Sequence, residues 1–324
     1  MTIRIFSLPD GKVETQTATG EVVPVDYSSN IATVIDNVRS SIVRVNGVTS
    51  GTGVIYAEDE DTVYVVTASE IVHGAASVDV TFDSGASVSA TIVGTDEATG
   101  IAVISLTPGF STTSISCGDA DTVNAGEYVI VTEALHADTM LRNVGLSVVS
   151  APFYGYVGTE SSYPCSLLKT SLQLSKDCAG SPMLNAGGQL IGVVVNTVRD
   201  YEDGHTYGVS VNEVVSVADE IIAEGSVERG YLDITGTSVT SMRSYEKNER
   251  GIALDVTEGV LVNTVSGNCR DILMRDDVII RIDEQDISSL KDMRDVQYAS
   301  TKEQELSIEV IRDGNVETLQ VKAS

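Results

Sequence analysis

The sequence predicts an all-β-dominated fold, in which two successive groups of short strands are joined by a helix to a C-terminal stretch. Three observations carry this. Val, Ile, Thr and Gly are abundant, hydrophobic residues make up 42% of the 324, and Trp is absent, a composition suited to pleated, half-buried strands. Short β-branched runs bounded by Gly, Asp or Ser recur along the chain. After Asn212 the apolar residues switch to helical spacing. The length allows two or three domains with real cores.

Residues 1–30 alternate short β-like stretches with polar turns and are read as an N-terminal arm. From Ile31 to Val48 the pattern Ala32, Val34, Ile35, Val38, Ile42, Val43 is a short helix running into a strand. Strands follow at Gly53–Tyr56, Val63–Thr67, Val78–Phe82 and Ala90–Val93, with a brief helical turn at Glu70–Gly74. The second group runs from about Asp119 to Val211. Its strands lie near Tyr128–Thr132, Arg142–Ser150, Leu167–Ser171, Pro182–Leu184, Leu190–Asn196 and Tyr207–Val211. Asn212 reads as an N-cap, Val214, Val215, Val217, Ala218, Ile221 and Ile222 as the apolar face, and Gly225 as the terminator. The expected divisions are 1–30, 31–225 and 226–324.

Lys and Arg number 20 against 47 Asp and Glu, a net charge of −27. This argues against nucleic acid and anionic membrane as partners, because both are polyanions. The four cysteines, Cys117, Cys165, Cys178 and Cys269, contain no C-x-x-C pair, so neither a zinc site nor a thioredoxin-type motif is expected. Cys165 and Cys178 flank one hairpin-like excursion, and the sequence alone leaves open whether they bridge. His73, His136 and His205 show no metal-ligand spacing. No metal or cofactor is expected. No stretch has the apolar length of a transmembrane helix, and Met1–Ala18 is too polar for a signal peptide.

The motifs are more specific. Asp177-Cys178-Ala179-Gly180-Ser181-Pro182 resembles the Gly-Asn-Ser-Gly-Gly-Pro signature of trypsin-fold serine proteases of the HtrA (Deg) family. Ser50-Gly51-Thr52-Gly53-Val54-Ile55 is similar to that family's Gly-Ser-Gly-Val-Ile strand. Thr67-Ala68-Ser69-Glu70-Ile71-Val72-His73-Gly74-Ala75 resembles Thr-Asn-x-His-Val-Val-x-Gly-Ala. Val93-Gly94-Thr95-Asp96 through Gly100-Ile101-Ala102-Val103-Ile104 resembles Val-Gly-x-Asp-x-x-x-Asp-Leu-Ala-Val-Leu. The resemblance runs from about Ile35 to the end. It implies two six-stranded trypsin-like β-barrels, a linking helix and an α+β PDZ-like domain.

The resemblance places the general base at Glu70, its orienting acid at Gly100 and the nucleophile at Ala179. Asp177 stands where the family has an oxyanion-hole glycine. Acyl transfer by a serine needs a base poised near the working pH, bonded to the hydroxyl and held by a third group. An ordinary glutamate titrates near about 4.3, alanine has no hydroxyl, and glycine orients nothing. Loss of a whole triad costs about 10⁶ in kcat, or ~8 kcal/mol of barrier. A carboxylate at 177 opposes a developing oxyanion. The chain is therefore expected to be a pseudoprotease with no catalytic residue in place. Two readings compete. One is an unusual hydrolase, with Cys178 or Ser181 paired to His73, one helical turn beyond Glu70. The other is a nucleophile deliberately exchanged for alanine, to which the additional changes at Glu70 and Gly100 are opposed.

In the C-terminal stretch, Arg229-Gly230-Tyr231-Leu232-Asp233-Ile234 resembles the Arg-Gly-Tyr-Leu-Gly-Ile entry of HtrA-type PDZ domains. Gly259–Val265, Asp276–Asp283 and Leu306–Gly314 match later strands, and Ser289–Ala299 matches the groove helix. The resemblance implies peptide binding by strand addition at Tyr231, Leu232, Asp233 and Ile234. Asp233 replaces a glycine, so capture of a terminal carboxylate is not expected. Asp271–Asp277 retains an apolar side chain but lacks both glycines of the family's Ala-Gly-Leu-x-x-Gly-Asp run. By the same resemblance, the expected partners are proteins or peptides, including active HtrA homologues. Homotrimers, an extracytoplasmic or membrane-tethered location and a role in bacterial envelope protein quality control are likewise implied. A third reading makes the PDZ-like module the only working part, carried on structural barrels.

Overall fold

A computed structural model describes residues 12–16, 22–134, 142–157, 164–174, 178–195 and 205–324, with only the backbone described for residues before 31, for 153–157, 164 and 165, and for residue 298. The described residues begin with a two-stranded ribbon, β1 (Lys12–Gln16) and β2 (Val22–Asp26), and helix α1 (Tyr27–Val38). The expected division at residue 30 thus falls inside α1.

The first barrel contains β3 (Ile42–Asn46), β4 (Ser50–Asp59), β5 (Thr62–Ala68), β6 (Val78–Thr81), β7 (Ser87–Asp96) and β8 (Ile101–Leu106). These close in the order β3-β4-β5-β8-β7-β6 with every pairing antiparallel. Register shifts at Ile55/Ala57 and Ile92/Gly94 bend the two long hairpins, as strands turning a barrel corner must. Helix α2 (Ser69–Val72) is the short turn expected between strands.

The second barrel comprises β9 (Tyr128–Thr132), β10 (Val144–Val157), β11 (Pro164–Thr170), β12 (Pro182–Leu184), β13 (Leu190–Val194) and β14 (Thr206–Ser210). It closes as β10-β11-β14-β13-β12-β9. One apolar core runs through the seam between the barrels. Ile42, Val54, Val65, Ile71 and Ile104 of the first barrel share it with Ala179, Leu184, Leu190 and Val193 of the second. Each fully buried Val, Leu or Ile contributes about 1.5–3 kcal/mol, so the two barrels are welded rather than merely adjacent.

Helix α3 (Val211–Glu224) joins the same core through Val214, Val217, Ala218 and Ile221. Its β-branched residues are mediocre helix formers, so packing of this stripe stabilises it more than propensity does. Gly225 ends it at φ 80° and donates its N–H to the Ile221 carbonyl. One expectation is corrected here. The N-cap is Ser210, not Asn212. Asn212 lies in the first turn, where its side chain accepts from Ala120 N–H and donates to Asp119 and Asp121, tying the helix to the loop before β9.

The C-terminal module has β15 (Ile234–Ser238), α4 (Ser244–Glu249), β16 (Val260–Val265), β17 (Val278–Ile282), β18 (Gln285–Asp286), α5 (Leu290–Ala299), β19 (Glu305–Arg312) and β20 (Asn315–Lys322). The sheet order is β15-β16-β17-β19-β20, with β18 paired to β17 and β15 at one edge. Met293 and Val296 of α5 pack on Ile234, Val262, Ile279 and Ile308 in a separate core. Ser289 and Asp292 form a capping box at the start of α5, each satisfying the other's orphan backbone donor.

The two halves are joined by charge. Arg229 and Asp96 are buried together, with the guanidinium Nη1 3.0 Å from both carboxylate oxygens. On the second barrel, Lys291 of α5 bonds Asp121 at 3.0 Å, and Arg294 lies 3.9 Å from Glu213, whose carboxylate accepts the Ser166 N–H. Among the described residues no helix is long and apolar enough to cross a membrane.

Candidate functional site

Strand β5 delivers the chain to α2, so Glu70 sits at the first barrel's rim, half-buried. The N–H of Ser69, its neighbour, donates to the Gly100 carbonyl at 2.7 Å. Gly100 is buried at φ 75° and its own N–H returns to the Asp96 carbonyl at 2.9 Å. Position 100 therefore lacks a side chain and also holds a left-handed backbone, a conformation that costs a non-glycine residue about 1–2 kcal/mol.

Ala179 arrives from the second barrel. It is 3% exposed, and its carbonyl accepts the Thr52 N–H at 2.9 Å. Gly51 lies between the two barrels' contributions: a Cβ there would stand 2.3 Å from Ile71 Cδ1 and 2.8 Å from the Ala179 oxygen. The structure thus gathers the regions of Glu70, Gly100 and Ala179 at the inter-barrel seam. Gly180, at φ 76°, allows the approach, since a Cβ would fall 1.9 Å from the Thr52 oxygen. Thr67 Oγ1 donates to that same oxygen at 2.7 Å, and Thr52 Oγ1 accepts the Ala134 N–H at 3.0 Å.

The alternative nucleophiles are placed differently. Cys178 and Ser181 are fully buried. His73 is 63% exposed, with Nδ1 3.7 Å from the Glu97 carboxylate on the surface. The structure does not bring His73 to either of them as a satisfied base–nucleophile pair. Asp177 lies outside the described residues, as do His136 and the side chain of Cys165, and with it the Cys165–Cys178 question. His205 Nδ1 stands 3.1 Å from the Thr170 carbonyl at the edge of the second barrel.

At the second predicted site, Leu232 and Ile234 point into the module's core, while Tyr231 and Asp233 are half-buried. Burial raises the Tyr231 hydroxyl pKa above its ordinary value. The Asp233 carboxylate accepts the Asn268 N–H at 3.0 Å and the Ser324 hydroxyl. Below it, the Cys269 thiol is pushed up to about 12, chiefly by burial. The lost glycines of the Asp271–Asp277 run leave their mark on the backbone. Asp276 stands at φ 72° and pairs with Arg250 at 2.5 Å.

Sequence patterning does not single out Thr52, Thr67 or the Asp96–Arg229 pair. Thr52 and Asp96 lie inside quoted motifs, so the signal was present, but a partner 133 residues away has no local signature.

With this geometry in hand, similarity to known proteins becomes interpretable. Residues 51–193 match the trypsin-like peptidase domain and residues 236–323 the PDZ domain. The serine protease Do-like HtrB of Bacillus subtilis is 26% identical over 91% of this chain and 71% of its own length. The periplasmic serine endoprotease DegP of Escherichia coli K12 is 27% identical over 82% of this chain and 54% of its own. The solved HtrA-type protease AlgW with tripeptide superposes with a TM-score of 0.69 at 21% identity, covering 90% of this chain and 96% of that one. Barrel closure, the order of the two domains and the matched relatives agree: the chain has the HtrA/DegP-type architecture, a trypsin-like peptidase fold followed by a C-terminal PDZ domain.

Proposed function

We propose that this protein is a catalytically inactive HtrA-type homologue that acts by binding proteins or peptides. The reading is supported by the residues at positions 70, 100 and 179, where a serine hydroxyl, an imidazole and an orienting carboxylate would be needed: Ser69, beside Glu70, donates to the Gly100 carbonyl, and Gly51 brings Ile71 close to Ala179. None of the three positions supplies its group. Burial of Cys178 and Ser181 and exposure of His73 count against a substitute pair. In this reading the protein is extracytoplasmic, assembles as a homotrimer, and regulates or scaffolds envelope protein quality control, with active homologues among its partners.

The test is labelling of the full chain with a fluorophosphonate probe beside an active trypsin-fold protease. The expected result is no covalent adduct on this chain while the control labels fully. An adduct at Ser181, or at any other serine in the native protein but not after denaturation, would overturn the reading.

A further inference from the structure

We infer that the module's second sheet face, the one turned away from α5, docks a segment of a partner protein that presents an apolar side chain beside a lysine or arginine. This surface is separate from residues 231–234 and from α5, and it stands whether or not the seam is inert. The sheet is covered unequally on its two faces. Val260, Val262, Ile279 and Val310 share the core that includes Met293 and Val296 of α5. The alternate residues Leu261 and Val278 face the other way, into a smaller core with Val239 and Ile252. On that side Leu261 stands opposite Val278, Val278 opposite Ile311, and Ile311 opposite Val316. Directly opposed residues share a face, so an apolar row crosses β16, β17, β19 and β20. Its cover runs out along the way. Leu261 and Val278 are buried, Ile311 is half-buried, and Val316 is 62% exposed.

The uncovered end of the row is concave. A cavity of about 560 Å³ lies there, lined by the buried Ile252 and Val278, by Ile311, and by Met274 and Val316, which are 53% and 62% exposed. None of its lining residues belongs to β15 or α5. The volume falls within the range of pockets that enclose a ligand group, and exposed apolar surface rimmed by charge is characteristic of protein contacts.

The rim charges select the partner. Arg312 donates to both Asp277 oxygens, to the Ile272 carbonyl and to Glu317. Arg250 pairs with Asp276, and Arg275 lies 3.8 Å from that same carboxylate. Asp255 and Asp313 also line the cavity; both are exposed, and neither forms an ion pair among the described residues. A cation beside the docked apolar side chain therefore meets a carboxylate that no arginine holds, whereas an anion meets arginines already paired. Lysine and arginine also lay apolar stems on such a surface while keeping the charged head in water. The net charge of −27 acts in the same sense at longer range, drawing basic partners and repelling a second copy of the chain.

The experiment uses the full chain and fluorescein-labelled dodecapeptides blocked at both ends, each with a central Leu in a Gly-Ser background and flanked by Lys, Ser or Glu. Binding is read by fluorescence anisotropy at low ionic strength, where exposed charges are least screened. The Lys-flanked peptide should bind at least about fivefold more tightly than its Ser-flanked twin, and the Glu-flanked one more weakly than either. Asp255→Asn with Asp313→Asn should shrink the Lys preference to below about twofold; Asn tolerates the positive φ of 49° at position 313. Glu60→Gln with Asp61→Asn, an equal loss of charge on the first barrel, should leave the preference unchanged. Met274→Ser with Val316→Ser should weaken the Lys-flanked peptide at least about tenfold, and Val316→Ser alone, at about threefold, serves if the pair lowers the melting temperature. The inference is overturned by an equal loss from the first-barrel pair, by binding that the Met274 and Val316 changes leave intact, by a preference for the Glu-flanked peptide, or by absence of binding. Each of those results leaves the fluorophosphonate test of catalytic inactivity untouched.

Discussion

The barrel seam and the C-terminal module depart in opposite ways from the motifs they resemble. At the seam, the positions that the resemblance assigns to chemistry hold Glu70, Gly100 and Ala179, within a frame of close backbone contacts: Thr52 to Ala179, Ser69 to Gly100, Gly180 under Thr52. In the module, Asp233 and Asp276 stand where the resembled motifs have glycine. There Asp276 holds a left-handed backbone at φ 72°, a region that Asp tolerates better than most residues. The comparison teaches that a tight backbone frame accommodates unlike side chains in both regions. On the proposed reading, the side chains present leave no chemistry at the first, and the carboxylates change electrostatics at the second.

The strongest way to break the comparison is at the link between the two regions. Asp96→Ala leaves the Arg229 guanidinium buried without its carboxylate, and should destabilise the chain by about 3–5 kcal/mol, read as a lowered urea midpoint. Replacing both partners with apolar residues, Asp96→Leu with Arg229→Met, should recover most of that loss. If Asp96→Ala alone is neutral, the two regions are not held together as described.

The seam is expected to be less tolerant of shape change than of chemical change. Gly180→Ala places a Cβ against the Thr52 carbonyl at a positive φ, and should cost more than about 2 kcal/mol. Ala179→Ser, which alters chemistry alone, should shift stability by less than about 1 kcal/mol. A reversed order in thermal melts would refute the view that the seam is preserved for its backbone.

In the module the glycine replacement is expected to be nearly neutral. Asp276→Gly relieves the left-handed strain but gives up the partly exposed pair with Arg250, so the two effects should offset to within about 1 kcal/mol. Asp276→Val loses both and should be clearly worse. The smallest effect concerns Cys269, whose thiol is raised to about 12 by burial. At pH 8 it should resist iodoacetamide in the native chain and react after unfolding, as site-resolved mass spectrometry would show.

Much of this architecture is legible in the sequence because strands carry local marks. Val63–Thr67 and Tyr128–Thr132 announce themselves by β-branched runs between turn residues, and both are found, the former within Thr62–Ala68. The termination of α3 at Gly225 is equally local, because only a residue at ease with positive φ ends a helix that way. Asn212 was the natural N-cap by residue type, yet its amide is drawn to Asp119 and Asp121 and Ser210 takes the cap position. Tertiary hydrogen bonds outweighed the local preference. Motif spacing points to Glu70, Gly100 and Ala179, because each lies within a short run of resembling residues. The burial of Gln297 and the Arg229–Asp96 pair carry no such mark, since both arise from the packing of segments far apart in the chain.

The most direct test of the central claim is turnover of unfolded casein by the native chain, measured beside the variant carrying Glu70→His, Gly100→Asp and Ala179→Ser together. The account predicts no cleavage above the buffer rate by the native chain, and measurable cleavage by the triple variant once the strain at position 100 is absorbed. Casein cleavage by the native chain, at a rate that the triple substitution fails to raise, would contradict it.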